Sequence, residues 1–298
     1  MDFYNGQALL DLCEKEHIKI SAAMKDREVT MGNLTTEEVD AKLKTVLEIM
    51  RNSSHRPIEN PGRSIGGLIG GEAKLVNDHS KTSQSIAGSM LSKAMAYSMA
   101  VLEVNASMGL IVAAPTAGSS GVLPGILMAL QEEKDLSDDD LYSGLLNASA
   151  IGYILMRNAS VSGAEAGCQA EVGAASAMAA SAIVEILGGT PAQCLSAAVH
   201  AMSNLLGLVC DPIAGLVEAP CQTRNAIGVA NAITSAELAL SGVNHPIPFD
   251  EMAEAMYRVG KSLPFELRET AMGGCAGTPT GCNLGCTICG KHYKAGIK

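Results

Sequence analysis

Residues 170–206 read AEVGAASAMAASAIVEILGGTPAQCLSAAVHAMSNLL. Two helical runs, 170–188 and 191–206, flank a Gly-Gly-Thr-Pro break, and neither carries the alternation of β-branched and polar residues that a half-buried strand needs. Thr190-Pro191-Ala192-Gln193 supplies an N-cap hydroxyl, a proline at the first helical position and a glutamine able to close a capping box. The same pattern recurs outward and predicts helices near 122–133, 138–157, 222–242 and 250–262. Ser85 to Ala106 is also helical in composition, with a small-residue face that lets another helix approach closely. Thr35-x-x-Glu38 is a capping box, followed by Val39, Leu43, Val46 and Met50 on one face of a helix ending near Asn52. Residues 53–71, with two prolines and five glycines, read as a loop. The class is mainly α. The expected organisation is an N-terminal helical segment (1–62), a main domain (63–275) and a Cys-rich C-terminal tail (276–298).

The 298 residues include 31 acidic and 21 basic side chains, a net charge of −10, and 47% are hydrophobic. That balance excludes a disordered chain. With no Trp and three Phe, the chain also lacks the basic stripe and stacking platforms of a nucleic-acid binder. Mean hydropathy is positive, yet no stretch supplies the roughly 20 apolar residues of a spanning helix. Gly109–Leu130 and Leu205–Val217 are broken by Pro115, Gly118, Pro124, Asp211 and Pro212. The N-terminus lacks a signal-peptide pattern, so the chain is expected in the cytoplasm. Nine cysteines, an odd number, point to thiols or metal thiolates in a reducing compartment.

Cys168, Cys210 and Cys221 sit in the Gly- or Pro-punctuated segments GAEAGCQAEVG, LGLVCDPIAG and VEAPCQTRN. Such backbone lets a bulky cluster come close and frees amides to hydrogen-bond its sulfurs. Separations of 42 and 11 positions exclude a local chelating loop of the ferredoxin kind. Three thiolates would leave one iron of a 4Fe-4S cluster open as a Lewis acid. On spacing alone, three buried cysteines acting as small hydrophobes is the competing reading. APTAGSSG (114–121) precedes an apolar helical run and offers amides and hydroxyls to a small anion, while lacking the Walker ending. A capped turn is its plainer reading. The Gly-rich SIGGLIGGEA (64–73) either approaches the same pocket or is a packing loop.

The strings GAEAGCQAEVGAAS, LVCDPIAGLVEAPCQTRNA, EVNASMGLIVAAPTAGSSGVLPG and RETAMGG resemble the α subunit of iron–sulfur-dependent L-serine dehydratase, and the resemblance runs from about Ser64 to Gly281. It implies a compact multi-helix domain with Gly-rich loops around a buried cluster site. Cys168, Cys210 and Cys221 occupy the positions that hold an oxygen-labile 4Fe-4S cluster. The implied reaction converts L-serine to pyruvate and ammonia without pyridoxal phosphate, as part of amino-acid degradation. A β subunit is the implied partner and the expected carrier of the general base. No catalytic residue is assigned on this chain, and none of its six histidines has a motif context. The resemblance favours a substrate-facing role for the 114–121 loop, with Thr116, Gly118 and Ser119 as substrate-binding candidates. Arg224 is a fourth candidate, as a fork donor to the substrate carboxylate. Gln169, Glu171, Asp211 and Asn225 stand beside the ligands as candidates for supporting roles.

Two other activities compete, a redox or electron-transfer iron–sulfur protein and a related cysteine desulfidase; a cluster-free structural partner of an enzyme is a third reading. The tail departs from the family in carrying Cys275, Cys282, Cys286 and Cys289. Cys282-x3-Cys286-x2-Cys289 copies a radical-SAM spacing, but too little chain follows for the barrel that chemistry requires. A second metal site, a redox-sensitive tail, a thiolate reaching back to the open iron and a flexible thiol-bearing end are the alternatives.

Overall fold

Small side chains set how closely the helices pack. The computed structural model describes residues 2–290. Among these residues the α-helices are α1 (Gly6–Glu16), α2 (Ile20–Met31), α3 (Thr36–Glu59), α4 (Glu72–His79), α5 (Gly88–Ala106), α6 (Val122–Lys134) and α7 (Asp138–Asn158). They continue as α8 (Gly163–Ala166), α9 (Ala174–Ile186), α10 (Pro191–Asn204), α11 (Cys221–Leu240), α12 (Phe249–Ser262) and α13 (Pro279–Ile288). No named strand occurs among the described residues; one isolated parallel bridge joins Cys210 to Arg268.

α9 is the central helix, buried from Ala174 to Glu185, with α6, α7, α10 and α11 around it. Its Ala and Ser side chains give an all-round small surface on which four helices can lie. The one acid in this helix, Glu185, is satisfied by the Asn147 side-chain amide (2.7 Å) and the Ser21 N–H (3.3 Å), as a buried carboxylate must be. Thr190 caps α10 and the Gln193 side chain returns the bond. The small-residue face of α5 receives α6 at Gly125, where an added Cβ would lie 2.7 Å from the Ala94 carbonyl oxygen.

α3 departs from expectation. It runs to Glu59, not Asn52, with Pro57 inside it. Met50, Ser53, Ser54 and Pro57 keep one buried stripe going, and the Asn60 N–H closes the last turn on Arg56 (2.8 Å). Burial of that stripe outweighs a propensity cost of about 3 kcal/mol for an interior proline. Of the face read as Val39, Leu43, Val46 and Met50, Val39 and Met50 are buried and Leu43 and Val46 half-buried against the core, with Leu47, not in that reading, buried beside them. One core cluster extends from Phe3 to Met256, and the Asp250 carboxylate at the start of α12 accepts from the Gly6 and Gln7 N–H groups (2.6 and 2.9 Å) at the start of α1. The two ends of that core are thus tied together.

In the tail, Thr278 caps α13 with Pro279 at its first position, so the segment for which a flexible end is one of the readings is helical to Ile288. α13 rests on the short turn Ile213–Gly215. Residues 291–298 of the expected tail lie outside the described residues. Among those described, no helix is long and apolar enough to cross a membrane.

Candidate functional site

Each of the three family-positioned cysteines is held by irregular backbone at a helix boundary. Cys168 stands between α8 and a π-helical turn, Gln169–Gly173; such turns are rare and concentrate at functional sites. Gln169 fixes this turn, donating to the Met256 carbonyl (2.8 Å) and accepting from the Gly207 N–H (2.9 Å). Cys210 is clamped by its bridge, donating to Leu267 (2.9 Å) and accepting from Glu269 (2.7 Å) through the backbone. Cys221 is the first residue of α11. All three are buried, at 2%, 2% and 6% exposure.

The fold brings two of them onto one carboxylate. The Cys168 and Cys210 thiols each lie 3.9 Å from Oε2 of Glu171, and the three donor atoms all fall within 4.8 Å of one another. Cys221 is close enough for Cys168 and Glu171 to act on its ionisation. The Cys210 thiol is pushed far above its ordinary value by its hydrogen bond to Cys168 and then by burial. The Cys221 thiol is pushed well up, first by burial and then by Cys168 and Glu171. Burial raises Glu171 as well. Cys210, Cys221 and Glu171 thus resist ionising unless positive charge enters among them, and a thiophilic metal centre supplies such charge.

Around this group stand the other candidates. The Thr116 hydroxyl donates to Oε1 of Glu171 (2.8 Å) and lies 3.1 Å from the Ser119 hydroxyl. A Cβ on Gly118 would sit 3.3 Å from the same oxygen. The Asn225 side-chain amide donates to the Gly118 carbonyl (2.8 Å) and its oxygen accepts from the Gly121 N–H (3.0 Å), so α11 anchors the 114–121 loop beside Glu171. Arg224 is half-buried. Its Nη1 lies 3.5 Å from the Cys168 sulfur and donates to the Val209 carbonyl (2.8 Å), while Nη2 pairs with Asp211 at 2.7 Å. Asp211 in turn accepts from the Cys275 N–H (2.6 Å).

The Gly-rich 64–73 segment is a packing loop that reaches the cysteine loop. Ser64 Oγ and the N–H groups of Gly66 and Leu68 all donate to Glu218 (2.7, 2.7 and 2.9 Å). Glu103 likewise accepts from the Ala73 N–H and the Gln222 amide (2.9 and 3.0 Å). Sequence reasoning missed both buried acids. For Glu218 the available signal was its place three residues before Cys221 in a Pro-punctuated turn.

Residues 15–276 match the family model described as serine dehydratase alpha chain. The chain belongs to that family. It is 46% identical over 276 residues to the L-serine dehydratase alpha chain of Peptoniphilus asaccharolyticus, covering 93% of this chain and 94% of that one. It is 43% identical over 282 residues to a probable L-serine dehydratase alpha chain of Bacillus subtilis (strain 168), covering 95% and 94%. An L-serine dehydratase of Escherichia coli (strain K12) is 35% identical over 281 residues, covering 92% of this chain but only 62% of that protein. Cys168, Cys210, Cys221, Glu171 and Arg224 of this serine dehydratase alpha chain family member all fall within the matched region, whereas Cys282, Cys286 and Cys289 lie beyond it. Those three line a groove of about 530 Å3 with Ala214 and Ala276.

Proposed function

We propose that this chain is the α subunit of an L-serine ammonia-lyase, that Cys168, Cys210 and Cys221 hold a 4Fe-4S cluster, and that a β subunit completes the site. The observation that carries the reading is the buried meeting of Cys168, Cys210 and Glu171, with Cys221 buried at the start of α11, in a member of the serine dehydratase alpha chain family. The donor set suits such a cluster. Soft thiolates select iron–sulfur chemistry, and Gly163 leaves bare backbone where a Cβ would come within 2.5 Å of Glu171 and 2.9 Å of Cys210. When bound, the cluster supplies a Lewis-acidic iron, free of cysteine, for the departing β-hydroxyl.

In this reading the chain's own residues position and bind. Asp211 and the Val209 carbonyl hold the Arg224 guanidinium so that its Nη1 points at the Cys168 sulfur, 3.5 Å away. Arg224 is therefore a positioning residue, and the Thr116–Ser119 loop takes the substrate carboxylate. L-serine loses its Cα proton and its β-hydroxyl as water; the resulting enamine tautomerises to the imine, which takes up water to give pyruvate and ammonia. The Cα proton leaves to a base that we assign to the β subunit, in line with the length of the Escherichia coli relative outside the match.

Anaerobic reconstitution of the chain with its β subunit, iron and sulfide tests this, read as pyruvate release from L-serine. The expected result is serine-dependent pyruvate formation that each of Cys168→Ala, Cys210→Ala and Cys221→Ala abolishes. Full activity of the α chain alone would overturn the division between subunits. The 4.8 Å grouping of Cys168, Glu171 and Cys210 favours a second reading, a single thiophilic ion on those three residues. Iron without acid-labile sulfide would select it.

A further inference from the structure

We propose that Glu171 is the subsite for the substrate's α-ammonium group, and so the residue through which the protein distinguishes an amino acid from the corresponding hydroxy acid. The proposal rests on the serine-lyase reading above and adds to it the recognition of the amine.

The geometry joins the two ends of an α-amino acid. Thr116, on the loop assigned to the substrate carboxylate, donates its hydroxyl to Oε1 of Glu171 at 2.8 Å. An ammonium and a carboxylate on one carbon need neighbouring sites of this kind. The other oxygen, Oε2, lies 3.9 Å from both the Cys168 and Cys210 sulfurs. A group bound there has its β-carbon beside the sulfurs assigned to the cluster, where the hydroxyl must depart.

The charge balance points the same way. The nearby guanidinium, Arg224, is engaged by Asp211, the Val209 carbonyl and the Cys168 sulfur. Glu171 itself is met by the Thr116 hydroxyl, the Cys168 and Cys210 thiols and the Gly163 N–H, with Glu269 as a second acid acting on it. An incoming ammonium would give this carboxylate strong charge-assisted hydrogen bonds. Bare backbone faces it on two sides. A Cβ on Gly163 would come within 2.5 Å of Oε2, and one on Gly118 within 3.3 Å of Oε1. Glu171 and Thr116 keep partial exposure, which leaves an approach for a small molecule.

The test uses the reconstituted αβ holoenzyme, wild type, Glu171→Gln and Glu171→Asp. Iron and acid-labile sulfide are counted first. L-serine and L-glycerate, which carries a hydroxyl in place of the ammonium, are then titrated anaerobically against the visible and EPR spectra of the cluster. Expected is unchanged iron and sulfide in E171Q, binding of L-serine weakened about tenfold or more, and L-glycerate within about twofold of wild type, as loss of one charge-assisted contact implies. E171D, which keeps the charge, should fall between. Undiminished preference for serine in E171Q would overturn the proposal. So would loss of iron and sulfide in E171Q, which would make Glu171 a cluster ligand and leave the serine reading standing. A fully loaded wild-type holoenzyme that does not respond to L-serine would instead overturn the serine reading, and this proposal with it.

Discussion

Cys168, Cys210 and Cys221 lie 42 and 11 positions apart, yet all three are buried and two of them, Cys168 and Cys210, meet on one carboxylate. Cys282, Cys286 and Cys289 fall within eight positions and run along the last turns of α13, with Cys282 and Cys289 exposed. Among the described residues the tail thiols form no group of three facing donors. Proximity in sequence thus says little here about shared chemistry. The difference comes from what surrounds each set. The distant trio is placed by a π-helical turn, a backbone bridge and a helix start, all anchored in the main body, whereas the tail trio rides on one short helix over a surface groove.

The largest effect should separate the two sets outright. Replacing Cys168, Cys210 or Cys221 by Ser is expected to remove bound iron and acid-labile sulfide and at least about a hundredfold of pyruvate formation, the scale on which loss of a required catalytic group is felt. The triple change Cys282→Ser, Cys286→Ser, Cys289→Ser should leave both iron and sulfide at wild-type levels. If the tail triple loses iron, the tail ligates metal and the contrast collapses.

Next in size is Asp211→Ala. It strands Arg224, whose side chain is 15% exposed, against an aspartate position 3% exposed, and it also frees the Cys275 N–H. Breaking such a buried pair should cost about 3 kcal/mol, read as a lower urea midpoint. A smaller loss still is expected for Gly163→Ala, about 1–3 kcal/mol from overpacking, because the new methyl meets Glu171 and Cys210 at 2.5 and 2.9 Å. Unlike a change elsewhere in the fold, it should also lower cluster retention. The smallest effect sharpens that control. Thr190→Ala removes the cap of α10 and should lower stability by about 1 kcal/mol, measured by thermal melting, with iron and sulfide unchanged.

The helices were legible because their signals are local. The Thr190 capping box, the Thr35–Glu38 box and the small-residue face of α5 each act within a few residues, and the structure has all three. Where burial competes with a local signal the reading failed, as in α3, whose buried stripe carries the helix through Pro57. In the tail, Thr278 and Pro279 start a helix, a local signal that the reading, drawn to the cysteine spacing, did not use. Site residues were legible only through the family resemblance. Nothing in the spacing of Cys168 and Cys210 says that Glu171 will stand between them. Arg224 reads as a fork donor to the substrate carboxylate, and nothing local says that Asp211, which the chain brings from beside another ligand, will engage it.

The central claim is one cluster, three cysteine ligands and one iron without a cysteine. Mössbauer spectra of the 57Fe-reconstituted chain with its β subunit, recorded with and without L-serine, test it most directly. The account predicts a distinct subsite holding one iron in four, whose parameters shift when L-serine is added. A spectrum in which every iron keeps sulfur-only coordination and ignores L-serine, or one arising from a single mononuclear ion, would contradict it.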